Sequence, residues 1–316
     1  MINRRHVRVK VLQSLYAFHQ SHNQDLNAGV NELMKSMEKV YELYLYQLSL
    51  LVAILSQEER FLEERSMKQL PTEEDLHPNR RFVENSLLRM LAEDETLQKR
   101  AEEKGIHWRE DMELVRKLLR TIKESGYYKA YMETETGDQK ADLRFVIKMI
   151  EKDIISFEPL HYFYEEKSIY WIDDWELVYK MMLKTLKTAA ERGQLDLMSL
   201  FKDPSDRDFA QNLFQKAVLN HDAFHEIISQ KTRNWDVERI ALMDMIIMEM
   251  ALTEILKFPE IPVKVSLNEY IELSKMYSTP KSKIFVNGVL DKLVDEFVKE
   301  KKITPHKVPG HDDGSE

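Results

Sequence analysis

Arg4, Arg5, His6 and Arg8 are the first residues whose types and spacing bear on chemistry. Guanidinium groups pair bidentately with phosphate and stack on bases, so several of them in one helical turn suit an RNA contact. The alternative is a basic leader that frays from a helix end. On a helical wheel Arg8 falls beside the Val11/Leu15 stripe, which lays its stem over the core. A second cationic set is Lys281-Ser282-Lys283-Ile284-Phe285, just after Thr279-Pro280. Threonine caps free N–H groups and proline has none to leave unpaired, so a helix opens there. Its N-terminal N–H groups and two lysines attract phosphate. Phe285, Val289 and Leu293 also fit a core stripe.

Other chemistries find little support. His221-x-x-x-His225 sets two imidazoles on one helix face, a spacing that binds metal. Asp222 stands where H-E-x-x-H has its glutamate, and no third ligand is near in sequence, so no metal site is expected. His19-x-x-His22 is a weaker pattern of the same kind. The absence of cysteine excludes disulfides, thiolate catalysis and Cys-based zinc sites. Neither G-x-x-x-x-G-K-[ST] nor G-x-G-x-x-G occurs. Asp173-Asp174 and the glutamate pairs 58–59 and 102–103 read as helix starts or solvated faces. Tyrosine rows at 41–46 and 127–131 have base-stacking character, but their helical spacing favours packing. No catalytic residue and no cofactor is expected.

The elements that must position these residues are helical. With 8 glycines and 9 prolines in 316 residues, and abundant Leu, Lys, Glu and Met, the chain reads as all-α. Val7, Val11, Leu12, Leu15 and Phe18 give a first helix its apolar face. Polar residues 21–27 form a loop, and a long amphipathic segment runs over 28–66. A loop is expected at 70–79, then helices at 80–103, 109–132, 140–157 and 173–192. Pro159 is read as stopping the third of these. The aromatic run His161-Tyr162-Phe163-Tyr164 with Tyr170-Trp171 reads as loop or short strand. After a break at Asp203-Pro204-Ser205, where Ser205-x-x-Asp208 has capping-box spacing, helices are expected at 206–231, 236–257, 266–277 and 280–300. Asn287-Gly288, a weak pair inside the last, marks close packing or a functional surface. Residues 303–316 read as a disordered tail. No stretch reaches the length of a membrane span and no early apolar run resembles a signal peptide, so the chain reads as cytoplasmic.

Charge is unevenly placed. The net charge is −9, yet residues 1–24 hold four bases and no acid, whereas 26–204 hold 27 bases and 35 acids. Screening confines an opposing field to about 10 Å at ordinary salt, so a basic patch on an acidic body still binds phosphate locally.

The C-terminal run Pro262-x-Lys264-Val265-Ser266-Leu267-Asn268-Glu269, Glu272-Leu273-Ser274-Lys275 and Phe285 through Lys292 resembles the signature of the NusB family of bacterial transcription antitermination factors. Trp235-x-x-x-Arg239-Ile240, the Asp244 to Leu256 stretch and the start, Arg4-Arg5-His6-x-Arg8 leading to Leu12-Gln13-Ser14-Leu15-Tyr16, resemble it too. The resemblance covers roughly 1–24 and 205–300. It implies a NusB-like helical bundle, here with a large helical insertion after the first helix, since a typical member is under half this length. The expected domains are a discontinuous core of 1–27 and 205–302 and an insertion of 28–204.

By the same resemblance the chain is a binding module, not an enzyme. It would bind boxA RNA with NusE, a small-subunit ribosomal protein, and keep the elongating RNA polymerase with other Nus factors from terminating on ribosomal RNA operons. Arg4, Arg5, His6, Arg8, Lys281, Lys283 and Phe285 would meet RNA; Tyr16, Glu238 and Asp244 would face NusE. From sequence alone, the last three are a helix-buried tyrosine and two solvated carboxylates. His6 stands where the family has arginine, Lys281 where it has an acid and Ile284 where it has lysine. Met245, Glu249 and Thr253 depart from the family's Arg, Arg and Tyr, so their helix is expected to pack on something different, the insertion first. Two other readings are an interaction scaffold that keeps the fold and, from the enzyme class, the RNA-binding part of an rRNA methyltransferase system. A homodimer is left open.

Overall fold

Caps and prolines fix where the helices begin. The computed structural model describes residues 2–232 and 241–303. Helix α1 spans Arg4–Gln20, with the Asn3 side chain accepting from the His6 N–H at 3.1 Å. Helix α2, Leu26–Ser66, starts where Asp25 accepts from the N–H groups of Asn27 and Ala28. The architecture is all-α: among the described residues no strand forms, and the one extended pairing is an isolated bridge between Ile2 and Phe201. No described helix is long and apolar enough to cross a membrane.

The chain divides into two compact units, residues 37–200 and residues 2–36 with the described part of 201–316. Helix α2 gives residues to both.

In the unit of 37–200, the rest of α2 is followed by short helices. They are α3 (Glu73–Leu76), α4 (Ser86–Glu93), α5 (Glu95–Glu103), α6 (Met112–Glu124), α7 (Gly126–Met132), α8 (Gln139–Met149), α9 (Glu158–Lys167) and α10 (Trp175–Arg192). Several expectations are corrected by capping. The loop at 70–79 contains α3, because Thr72 and Asp75 form a capping box. Helix 80–103 divides where Asp94 accepts from Leu97 N–H, and 109–132 divides where Ser125 accepts from Tyr128 N–H. Helix 140–157 ends instead in a π-turn over Ile150–Ile154. Pro159 opens α9 rather than closing its predecessor, so the aromatic run is helical over α9 and a 3₁₀ turn at Ile169–Trp171. Packing overrides its extended propensity: Tyr164 is fully buried, with ring contacts to Tyr46, Trp108, Trp171 and Trp175. Asp142, buried, is met by Arg81, Ser86 and Tyr131. Burial alone would raise its pKa, but these donors hold it below the usual range.

The other unit closes α1 and the start of α2 onto α11 (Ser205–Leu219), α12 (His221–Lys231), α13 (Leu242–Lys257), α14 (Val263–Tyr277) and α15 (Pro280–Lys299). Helix α13 is the centre. Every residue from Asp244 to Ile255 is buried, the mark of a helix enclosed on all sides, and it packs on α1, α11, α12, α14 and α15. The expected helix 206–231 is two, because Asn220 turns its side chain back to the Lys216 carbonyl. Ser205 caps nothing; Asp203 accepts from its N–H and hydroxyl instead. At Gly29 a Cβ would lie 2.8 Å from both Phe18 and Phe214, so only glycine admits this approach. The starts of helix 236–257 and tail 303–316 straddle residues outside those described.

Candidate nucleic-acid interface

Three arginines project from α1, and each meets a carboxylate. Arg4 Nε lies 3.3 Å from Asp206 Oδ1, with the guanidinium over the Phe209 ring. Arg5 grips Glu269 bidentately at 2.9 and 2.7 Å. Glu269 is held below the ordinary carboxylate range, first by the Arg5 hydrogen bonds. With Asn3, Lys202 and Asp203, these residues line an open cleft of about 620 Å³ that also reaches Arg8. The Arg4 and Arg5 side chains stay 41% and 53% exposed. Arg5 uses Nε and Nη2 on Glu269, which leaves Nη1 for a ligand.

Arg8 is different. It is 3% exposed and bidentate to Glu254 at 2.8 and 2.7 Å. Ser266 and Tyr270 donate to the same carboxylate at 2.7 and 3.0 Å. Arg8 borders the cleft, but its Nε and Nη2 are committed to Glu254, so it offers a phosphate little surface. The residue expected to touch RNA instead locks α1 to α13 and α14, and the helical wheel that placed it beside Val11 and Leu15 carried the signal. Lys202, Asp203 and Asp206 were missed, since they lie some two hundred residues along the chain from the arginines they join. The backbone supplies the register: Lys202 N–H donates to Ile2 O at 3.0 Å.

At α15, Thr279 accepts from Ser282 N–H as expected. Lys281 is exposed, Lys283 and Phe285 are half-buried, and Ile284 is 74% exposed. Val289 and Leu293 are core. Glu272 is lowered mainly by its bond to Lys275, with smaller contributions from Arg5 and Lys283. His6 likewise acts on Glu269. Gly288 is exposed and a Cβ there would meet open space, so close packing does not explain it.

Of the residues expected to face a protein, Tyr16 is half-buried and its hydroxyl accepts from Gln20 at 3.2 Å. Asp244 is not solvated: it is 3% exposed, and Oδ1 has no hydrogen-bond partner among the described residues. Glu238 lies outside the described residues, as do Trp235, Arg239 and Ile240.

Glu249 meets α12 of its own unit. His221 Nδ1 is 2.9 Å from Glu249 Oε2, and His225 Nδ1 is 3.6 Å from Oε1. The His19 ring lies 4.4 Å from that of His221. Burial, then the neighbouring His221, lowers the His19 pKa to about 4, whereas the Glu249 hydrogen bond raises that of His221.

The sequence model of the NusB family matches residues 175–295, beginning earlier than the motifs alone suggest and leaving α1 outside. A transcription antitermination protein NusB of Salinibacter ruber is 48% identical over 123 residues, 38% of this chain and 77% of the relative. Its counterpart in Dictyoglomus turgidum is 37% identical over 100 residues, 32% and 69% of the two chains. That of Alkaliphilus oremlandii is 35% identical over 94 residues, 30% and 68%. No solved structure matches the chain.

Proposed function

The chain belongs to the NusB family, and from that premise we propose that it is a transcription antitermination factor that binds boxA-type RNA together with NusE. The observation that carries the RNA part is the cleft where the exposed edges of Arg4 and Arg5 stand beside Lys202. Each arginine is held in place by one carboxylate, so its remaining N–H donors are oriented before a phosphate arrives. Lys281 and Lys283 extend the cationic surface, His6 adds ring nitrogens, and Phe285 supplies an aromatic ring of the kind on which bases stack. Arg8 acts from behind, fixing the helix that carries the contacts.

Affinity from such a patch is weak and salt-sensitive. Three or four phosphate contacts to a single strand give a log–log salt slope of roughly −2 to −3. NusE, meeting a surface that includes Tyr16, adds a second binding event and so raises the overall affinity by linkage. The assembly would act on the elongating polymerase with other Nus factors. The NusB family is one of non-enzymatic factors, and nothing in the cleft resembles a nucleophile with its base.

The test is fluorescence anisotropy with a boxA oligonucleotide and a scrambled control, with and without NusE. Arg4→Ala/Arg5→Ala protein is expected to lose affinity by about tenfold or more and to flatten the salt slope by roughly one to two. Equal affinity for both oligonucleotides with NusE present would overturn the reading in favour of an interaction scaffold.

A further inference from the structure

We propose that His19, His221 and Glu249 form a binding site for a divalent transition-metal ion, zinc being the ion that suits the donors best. Three helices deliver them: the last turn of α1, the first residue of α12 and the middle of α13. One ligand atom from each lies within 4.8 Å of the other two. Zinc takes imidazole nitrogen and carboxylate oxygen at about 2.0–2.2 Å, which sets tetrahedral ligands roughly 3.3 Å apart. The Glu249–His221 separation of 2.9 Å lies below that value and the 4.8 Å bound lies above it.

A second observation points to a cation. Glu249 is 2% exposed, and its Oε1 has no hydrogen-bond donor among the described residues. His225 Nδ1, at 3.6 Å, is too far to supply one. A buried carboxylate with one oxygen unmatched is costly, and a bound cation removes that cost. His225 sits one turn along the same face of α12, its ring 5.7 Å from that of His221, and is half exposed. The fourth position falls to His225 or to water.

The donors choose the ion. Two or three imidazoles with one carboxylate suit zinc, nickel or copper, whereas magnesium and calcium require oxygen donors throughout. Bound metal would join the end of α1 to α12 and to the central α13. The pattern His221-x-x-x-His225 does not reveal the set, because His19 and Glu249 are brought to it only by the fold.

The experiment uses the full chain, stripped with chelator, and titrates it with zinc by calorimetry and with cobalt by visible absorption. The chain has no cysteine, so thiolates contribute nothing to either signal. One equivalent bound, with Glu249→Gln and His221→Asn each weakening binding at least about tenfold and the exposed His77→Ala leaving it unchanged, is the expected result. Circular dichroism confirms that each variant is folded, and His221→Asn serves if Glu249→Gln is not. No binding by folded wild-type protein at tens of micromolar zinc overturns the proposal. So does one-equivalent binding that survives the folded variants, since that places the metal on other histidines.

Discussion

Removing the Glu254 carboxylate should destabilise the unit around α13 by about 3–5 kcal/mol, the cost of breaking a buried ion pair from one side. The size follows from its surroundings. Glu254 and Arg8 have side chains 0% and 4% exposed. The carboxylate accepts from Arg8 twice, from Ser266 and from Tyr270, which occupies its lone-pair sites. Glu254→Ala leaves a buried guanidinium over the Phe209 ring, with Glu269 at 3.9 Å as its remaining ion-pair partner among the described residues. Arg5 and Glu269 form an equally short pair, but at the surface, and Arg5→Ala should cost about 0–1 kcal/mol. The double variant Arg8→Met/Glu254→Leu removes both charges and should recover most of the loss. Urea unfolding followed by hydrogen exchange in α1, α13 and α14 reads this unit separately from residues 37–200. A Glu254→Ala cost below about 1 kcal/mol, or a double variant weaker than the single, would refute the desolvated-pair argument.

Two further outcomes follow from the histidines and from Gly288. The lowered His19, about 4 against 6.5, means that the unfolded chain binds the extra proton, so its contribution is present above 6.5 and lost as pH falls toward 4. His221, raised by Glu249 with help from Asp222, contributes stability that is full below 6.5 and lost as pH rises through its folded value. In metal-free protein, urea midpoints across that range should therefore lose their acid-side fall in His19→Asn and their alkaline-side fall in His221→Asn. Gly288→Ala should stabilise α15 by about 0.5–1 kcal/mol, since the added Cβ meets nothing. If it also weakens RNA or NusE binding in anisotropy, the glycine serves that surface, whereas unchanged binding would remove Gly288 from it.

Legibility in the sequence followed the range of the interactions. Thr279 capping α15 and the first helix's apolar stripe are local, and both were readable. The split at Asn220 was not, because one side chain returning to Lys216 O leaves no periodic trace. The aromatic run failed for the opposite reason: its local propensity is extended, and contacts from Tyr46 and Trp108 decide otherwise. Helix α13 hides its polar residues from pattern reading. A helix buried on every face has no solvent side on which Asp244 or Glu249 would announce itself. The arginines of the cleft were visible; the acids that orient them were not, since Asp206 and Glu269 are brought to them only by the fold.

The discontinuity of the α13 unit has a consequence during synthesis. Helix α1 is made before residues 37–200, yet α11 and α13, which pack on it, follow only after them. At about 5–20 residues per second that interval is on the order of ten seconds or more. Through it, Val7, Val11, Leu12 and Leu15 lack the surface that covers them, while the intervening unit is already complete. That exposed stripe is a natural target for a ribosome-associated holdase during the interval.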